Sequence, residues 1–241
     1  RTFMTACVVT SLCEFLGVLN ILDLYLNFSL VTERFELWRL VTTFTYMGDL
    51  GLSFVLKMYF AIRYSKLLEE GHYRGRTADF VMMWIFGAFS LLGLNAVCHV
   101  YKFSSWKPPV FLGPALVNAI LYIWARRSPY IRMDFMGLFR FPAPCLPWVI
   151  LGLELVLENG SIAFDVLGIL VGHLFYFLTD TYPRTSGRHL LPTPGFLKAM
   201  FDQHDHPAPA AQAEQPQQPQ QNHVPNANPP ADQPQQQAPV M

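Results

Sequence analysis

Six apolar stretches govern what this chain can fold into: 3–22, 51–67, 80–100, 110–124, 144–157 and 162–178, the fourth and fifth being short. A helix that crosses the hydrocarbon of a bilayer needs about 20 mostly apolar residues, because no water is available there to satisfy exposed backbone groups. Of the 241 residues 52% are hydrophobic and only 14% are charged, whereas soluble domains carry roughly a quarter charged. The pattern predicts an all-α membrane protein, a six-transmembrane bundle.

Read as a signal peptide, 3–22 is too long for an apolar h-region, carries Glu14 and lacks a small-x-small cleavage site, so a transmembrane helix is expected there. Net charge is zero and the basic residues are scattered, which excludes the clustered positive field that nucleic-acid binding relies on. Cys7, Cys13, Cys98 and Cys145 lie in or beside apolar runs without a C-x-x-C pair. They read as small packing residues, and neither a metal site nor a disulfide framework is expected.

Orientation follows from where Lys and Arg fall between the stretches. The second loop carries Arg63, Lys66, Arg74 and Arg76, the fourth Arg126, Arg127, Arg132 and Arg140, and the segment after the last stretch Arg184, Arg188 and Lys198. The first loop holds Arg34 and Arg39, the third Lys102 and Lys107, and the fifth none. Both termini and the even loops are therefore expected in the cytosol. The first loop, 23–41, is rich in aromatic and charged residues; Leu30, Phe35, Leu37, Trp38 and Leu40 suit a partly embedded position at the membrane interface. "FLKAMF" at 196–201 reads as a short amphipathic turn on the membrane surface. From Pro207 the chain is rich in Pro and Gln and almost without large apolar residues, so a disordered tail is expected. The division is 1–183 membrane domain, 184–206 membrane-proximal segment and 207–241 tail.

Polar groups inside the stretches are Glu14, Lys57, Asn95, Asn118, Glu154 and His173. An ionisable group at bilayer depth costs several kcal/mol unless it meets a partner or a water-filled cavity. Glu14 and Lys57 can snorkel from helix ends or face inward, while Glu154 and His173, deeper in their runs, favour a polar interior. Gly168 and Gly172 share a helix face, a spacing that lets another helix approach closely.

A Trp38–Arg39 pair in a long first loop and a G-x-x-x-G in the sixth of six helices resemble the rhomboid fold. Finer features resemble its derlin branch: "RYSKLLEEG" (63–71), "GRTADF" (75–80) opening the third helix, "LPWVILG" (146–152) in the fifth, and "GHLFYFL" (172–178) followed by Tyr182 and Pro183 in the sixth. The resemblance covers essentially residues 1–201.

Rhomboid proteases use a Ser in a G-x-S-G on the fourth helix and a His three residues before the first Gly of the sixth-helix motif, and a serine nucleophile needs its base within hydrogen-bond reach. No Ser occurs from 106 to 127, and the base position falls on Asp165. His173 is about 12 Å farther along the helix axis and roughly 80° round from it, so it does not replace the base. A different dyad with Ser104, Ser105 or Ser161 has no spacing in its favour. His173 matches the derlin pattern, which implies a hydrogen bond across helices or a place in a polar cavity, with core packing the plain alternative.

The resemblance implies an inactive, rhomboid-like protein of the endoplasmic reticulum membrane that helps misfolded proteins return to the cytosol for ubiquitination and proteasomal degradation. It implies as partners misfolded clients, the lipid bilayer, a membrane-embedded ubiquitin ligase of the Hrd type and a cytosolic AAA ATPase, with homo- or hetero-oligomers left open and no cofactor. Many derlins recruit the ATPase through a Gly-rich box in the tail; no Gly follows Gly195 here, which points to indirect recruitment. A passive membrane scaffold and an active intramembrane serine protease are the alternative functions. A small-molecule transporter would be expected to show inverted repeats or broken helices, and the sequence has neither.

Overall fold

The computed structural model describes residues 2–101, 111–135, 139–158, 162–188 and 190–201. The expectations for Lys102, Lys107, Ser104, Ser105, Ser161 and the tail from Pro207 lie outside the described residues. The described part is predominantly helical.

The first apolar run is not one helix. α1 (Thr2–Phe15) stops before Gly17, which takes a left-handed φ of 71°, a conformation without Cβ strain for glycine. Asn20 then caps α2 (Ile21–Leu24), its side chain accepting from the Leu22 N–H at 3.1 Å. Hydropathy runs on through Val18 and Leu19 while the backbone turns. The chain continues through α3 (Phe28–Arg34) and α4 (Arg39–Thr45) into α5 (Leu52–Gly71). α5 outruns its apolar stretch, so Arg63 and Lys66 stand on a helix rather than in a loop; Lys66 reaches Glu70 at 3.6 Å one turn on, a spacing that supports the helix.

α6 (Thr77–Val100) follows a turn at Gly75, and α7 (Gly113–Arg127) opens with Pro114 in its first turn, where the missing N–H costs no helical bond. By length and composition, Thr77–Cys98 is long and apolar enough to cross a membrane, with a mean hydropathy of 1.9 in its best window; Thr2–Phe15 and Ala143–Leu157 are shorter apolar helices.

Between α7 and α8 (Leu146–Glu158) a short two-stranded ribbon, not expected from the sequence, interrupts the otherwise helical chain. β1 (Arg132–Phe135) and β2 (Phe139–Pro142) pair antiparallel, Met133 opposite Phe141 and Asp134 opposite Arg140. Side chains alternate faces along a strand: Phe141 is buried and Met133 packs on the core, while Arg132, Asp134 and Arg140 are exposed. The ribbon thus closes one end of the core and turns its charges outward. α9 (Ile162–Tyr176) runs into a π-helical turn at Phe177–Thr181, then α10 (Tyr182–Ser186) and α11 (Gly195–Phe201).

α7 is the centre of this bundle. From Ala115 to Ala125 every residue except Tyr122 is buried, the signature of a helix surrounded by others. Its partners on α9 advance in the same direction as its own numbering: Ala115 against Gly168, Ala119 against Gly172, Tyr122 against His173, Arg127 against Asp180. α7 and α9 therefore run parallel, with α8 as the return between them.

Candidate functional site

Two constellations rise from this frame. The first is the anchor of the first loop. Arg39 begins α4 and is only 5% exposed. Its Nη1 donates to the carbonyls of Leu22 at 2.8 Å and Tyr25 at 3.2 Å, and its Nε to Glu36 Oε2 at 2.5 Å; Asp23 lies 4.0 Å from Nη2 and the Tyr25 ring 5.3 Å from the guanidinium carbon. One planar cation with five donors satisfies the carbonyls that α2 leaves open at its end. Trp38, by contrast, is 56% exposed, and Phe35, Leu37 and Val41 near it are exposed as well. Leu30 is half-buried, and Leu40 packs against the core.

α4 in turn is held to α7. Leu112 N–H donates to the Thr43 carbonyl at 2.9 Å, and a Cβ on Gly113 would stand 2.7 Å from the Phe44 carbonyl. Sequence reasoning passed over Gly113; its place just before a proline at a helix start was the available signal.

The second constellation is the α7–α9 seam. A Cβ on Gly168 would lie 2.2 Å from the Ala115 carbonyl, and one on Gly172 2.7 Å from the Ala119 carbonyl. The two glycines therefore lay α9 directly on the backbone of α7, with alanines opposite them. Beside them Asn118 Nδ2 donates to Asp165 Oδ1 at 2.5 Å, both residues buried, so the carboxyl at the base position of the protease pattern faces an amide. The hydroxyl that meets His173 is phenolic: Tyr122 Oη and His173 Nδ1 are 2.8 Å apart. His173 itself is exposed on the outer flank of the seam rather than interior, because it directly follows Gly172, whose Cα is pressed on α7, and neighbours on a helix point about 100° apart.

Of the remaining polar residues in the apolar stretches, Lys57, Asn95 and Glu154 are buried and Glu14 is half-buried. Lys57 thus faces inward instead of snorkelling.

Where α7 and α9 end, a polar cluster forms that the sequence did not single out. Arg127 donates through Nη2 and Nε to Asp180 Oδ2 at 2.7 and 3.1 Å, with Thr179 Oγ1 also donating to that carboxylate at 2.8 Å. The guanidinium stacks 4.9 Å from the Tyr73 ring. Burial works against the arginine's charge, but Tyr73 and Asp180 outweigh it and hold its pKa above the ordinary value. Burial raises the Tyr73 pKa and, aided by Arg127, lowers that of His72, whose Nδ1 is buried without a hydrogen-bond partner. The π-helical turn puts Thr179 and Asp180 in this position; such turns interrupt regular spacing, which is why periodicity did not reveal the pair.

On the other flank of α7, a cleft of about 980 Å³ opens between α5, the ribbon and the start of α8, lined among others by Val55, Tyr59, Trp124, Met133, Phe141 and Leu146. Arg63 and Arg132 also border it. Among the described residues no cluster of His, Cys, Asp and Glu has the makings of a metal site.

The Der1-like family model matches residues 1–195. A probable derlin-2 homolog of Dictyostelium discoideum is 46% identical over 207 residues, covering 86% of this chain and 80% of the relative. Derlin-2.2 of Arabidopsis thaliana is 43% identical with 83% of each chain covered, and derlin-1.1 of Zea mays is 36% identical with 82% and 78% covered. A match that takes in the first-loop anchor, the α7–α9 seam and the polar cluster together is a match of the whole described core, and on it the chain belongs to the Der1-like family.

Proposed function

We propose that this protein assists the return of misfolded lumenal and membrane proteins from the endoplasmic reticulum to the cytosol for degradation by ubiquitin and the proteasome, as a membrane-embedded component that performs no hydrolysis. Membership of the Der1-like family supports a membrane protein of this degradation route. The observation that carries the finer reading is the α7–α9 seam. There the Gly168 backbone lies so close to Ala115 that no side chain fits between them, Asn118 holds Asp165, and His173 meets a phenol rather than an aliphatic hydroxyl. A phenol, protonated at neutral pH in its ordinary range, is a poor nucleophile.

In this reading six spans place both termini in the cytosol, with 1–183 as the membrane domain, 184–206 lying along the cytosolic surface and 207–241 a disordered tail. The first loop, pinned by Arg39, rests Trp38 and its apolar neighbours in the lumenal leaflet. The short α7 and α8 thin the bilayer, and the cleft beside α5 receives an amphipathic client segment, its apolar wall against apolar side chains and Arg63 and Arg132 against polar backbone or carboxylates. A Hrd-type ubiquitin ligase supplies ubiquitination, and the AAA ATPase acts through that complex.

The test is a degradation chase of a misfolded lumenal glycoprotein in cells lacking this protein, complemented with wild type, Trp38→Ala, Arg39→Ala or Gly172→Leu. The client should persist without the protein and be cleared only with wild type. Unchanged clearance of several clients in its absence would leave a passive scaffold, and defined client fragments produced by the purified protein would instead make it a protease.

A further inference from the structure

The segment that follows α10 ends in Thr193 and Pro194, and it is latched to the start of α6. Thr193 Oγ1 donates a short hydrogen bond to Asp79 Oδ1, and Asp79 Oδ2 lies 3.8 Å from Arg76 Nη1. The Pro194 carbonyl accepts from the N–H groups of Leu197 and Lys198 at 3.1 and 3.4 Å, so the position of Thr193 sets the position of α11. From there Leu197 is buried, 5% exposed, while Phe196 and Met200 on the same short helix are each 69% exposed. Thr193 and Leu191 also wall the cavity of about 240 Å³ that holds Arg127 and Asp180. One hydroxyl proton thus joins the latch, the last helix and the mouth of the polar cluster.

We propose that Thr193 is a phosphorylation site for a proline-directed serine/threonine kinase, and that phosphorylation unlatches α11 from α6. The residue before a proline is held extended, the backbone form a kinase groove takes, and no helix has to melt at Thr193 because 192–194 is irregular. In the reaction Thr193 Oγ attacks the γ-phosphorus of ATP. The new O–P bond forms as the bond to the β,γ-bridging oxygen breaks, ADP leaves with that electron pair, and the hydroxyl proton passes to the kinase's base.

The product cannot keep the latch. The donor hydrogen is gone, and a group of about −1.5 to −2 charge faces the Asp79 carboxylate across what was a hydrogen bond. Arg76 is the cation beside them, but its side chain is 63% exposed and its attraction is screened by water and salt. Arg127 is engaged with Asp180 at 2.7 Å. Repulsion at contact distance therefore wins, Leu197 leaves α6, and α11 with its apolar face and Lys198 becomes available to the membrane surface while the polar cluster opens.

In cells this rests on the cytosolic placement of 184–206, so the decisive experiment is made on the purified full chain in nanodiscs, where topology plays no part. A proline-directed kinase and ATP are added, the phosphate is mapped by mass spectrometry, and hydrogen exchange is followed over 195–201. Thr193 should be modified, the site should be lost in Thr193→Ala, and exchange over 195–201 should accelerate about tenfold or more, as for a locally unfolded segment. Phosphorylated Asp79→Asn, whose amide can donate to the phosphate, should keep slow exchange. Failure to phosphorylate Thr193 while a peptide of residues 190–198 is phosphorylated would overturn the proposal. So would phosphorylation that leaves exchange unchanged or slows it. Protection of the C-terminal segment from protease in sealed microsomes reports the topology separately.

Discussion

At the first-loop anchor a single planar cation reaches two carbonyls and a carboxylate at once. A lysine there carries the same charge but presents its donors from a point on a flexible stem and cannot span that fork. Arg39→Lys is therefore expected to lose one to two of these charge-assisted bonds, worth about 1.5–3 kcal/mol each, and to unfold at lower temperature in detergent; a melting curve equal to wild type would contradict the anchoring role. Trp38→Ala, by contrast, removes a side chain that is more than half exposed, so it should lower the melting curve less than Arg39→Lys and alter mainly the depth of the loop in the bilayer, read by quenching with brominated lipids. The pair was legible in the sequence as a unit. That one member is buried and the other exposed was not, because it depends on where α4 begins, and that boundary is fixed by the Arg39 contacts with residues of α2 and the turn after it.

The α7–α9 seam is an interaction between elements, and its tolerance for added atoms can be ranked in advance. A Cβ at Gly168 meets a backbone carbonyl at 2.2 Å and one at Gly172 meets a carbonyl at 2.7 Å, while a Cβ at Gly152 on α8 has nothing within 4 Å. Backbone on a central helix cannot move aside as a side-chain tip can. Gly168→Ala should therefore cost most, of the order of the 1–3 kcal/mol typical of overpacking or somewhat above it, and Gly172→Ala less. Gly152→Ala should be neutral or stabilising by up to about 1 kcal/mol through helix propensity. Thermal unfolding of the three variants in one detergent checks the order, and equal losses at 168 and 152 would refute it. The glycine spacing was visible in the sequence and told that some backbone comes close. Which backbone was not visible: Ala115 and Ala119 are ordinary residues, and they matter only because the fold brings them opposite. Boundaries failed for a similar reason. Gly17 and Asn20 carried the turn signals that end α1 and start α2, and the continuous hydropathy around them masked both; the β-ribbon was hidden because four-residue strands give too short an alternation to stand out.

For the molecule as a whole, the proposed six-span arrangement raises the question of how helices of such unequal length would share one bilayer. α6 has 24 residues, α7 15 and α8 13, which at ~1.5 Å per residue come to roughly 36, 22 and 20 Å, against a hydrocarbon core of roughly 30 Å. α6 can tilt to fit. α7 is the central helix, and its short reach is met at one end by α4 and at the other by the Arg127–Asp180 cluster, an ion pair that a thick bilayer would push into hydrocarbon. Each ångström of mismatch costs a fraction of a kcal/mol, so the bilayer should yield around α7 and α8 and thin locally. The six apolar stretches pointed to a helical membrane protein; they did not foretell that the short α7 lies at its centre, since burial by neighbouring helices leaves no trace in hydropathy. Reconstituted in dimyristoyl, dipalmitoleoyl and dioleoyl phosphatidylcholine, the protein should resist thermal unfolding best in the thinnest of these fluid bilayers and least in the thickest. Extending α8 with one added turn of leucines should shift that optimum toward the thicker lipid. An optimum that sits at the thickest bilayer for wild type would mean that its short helices do not set its fit to the membrane, and the thinning step of the proposed client route would fall with it.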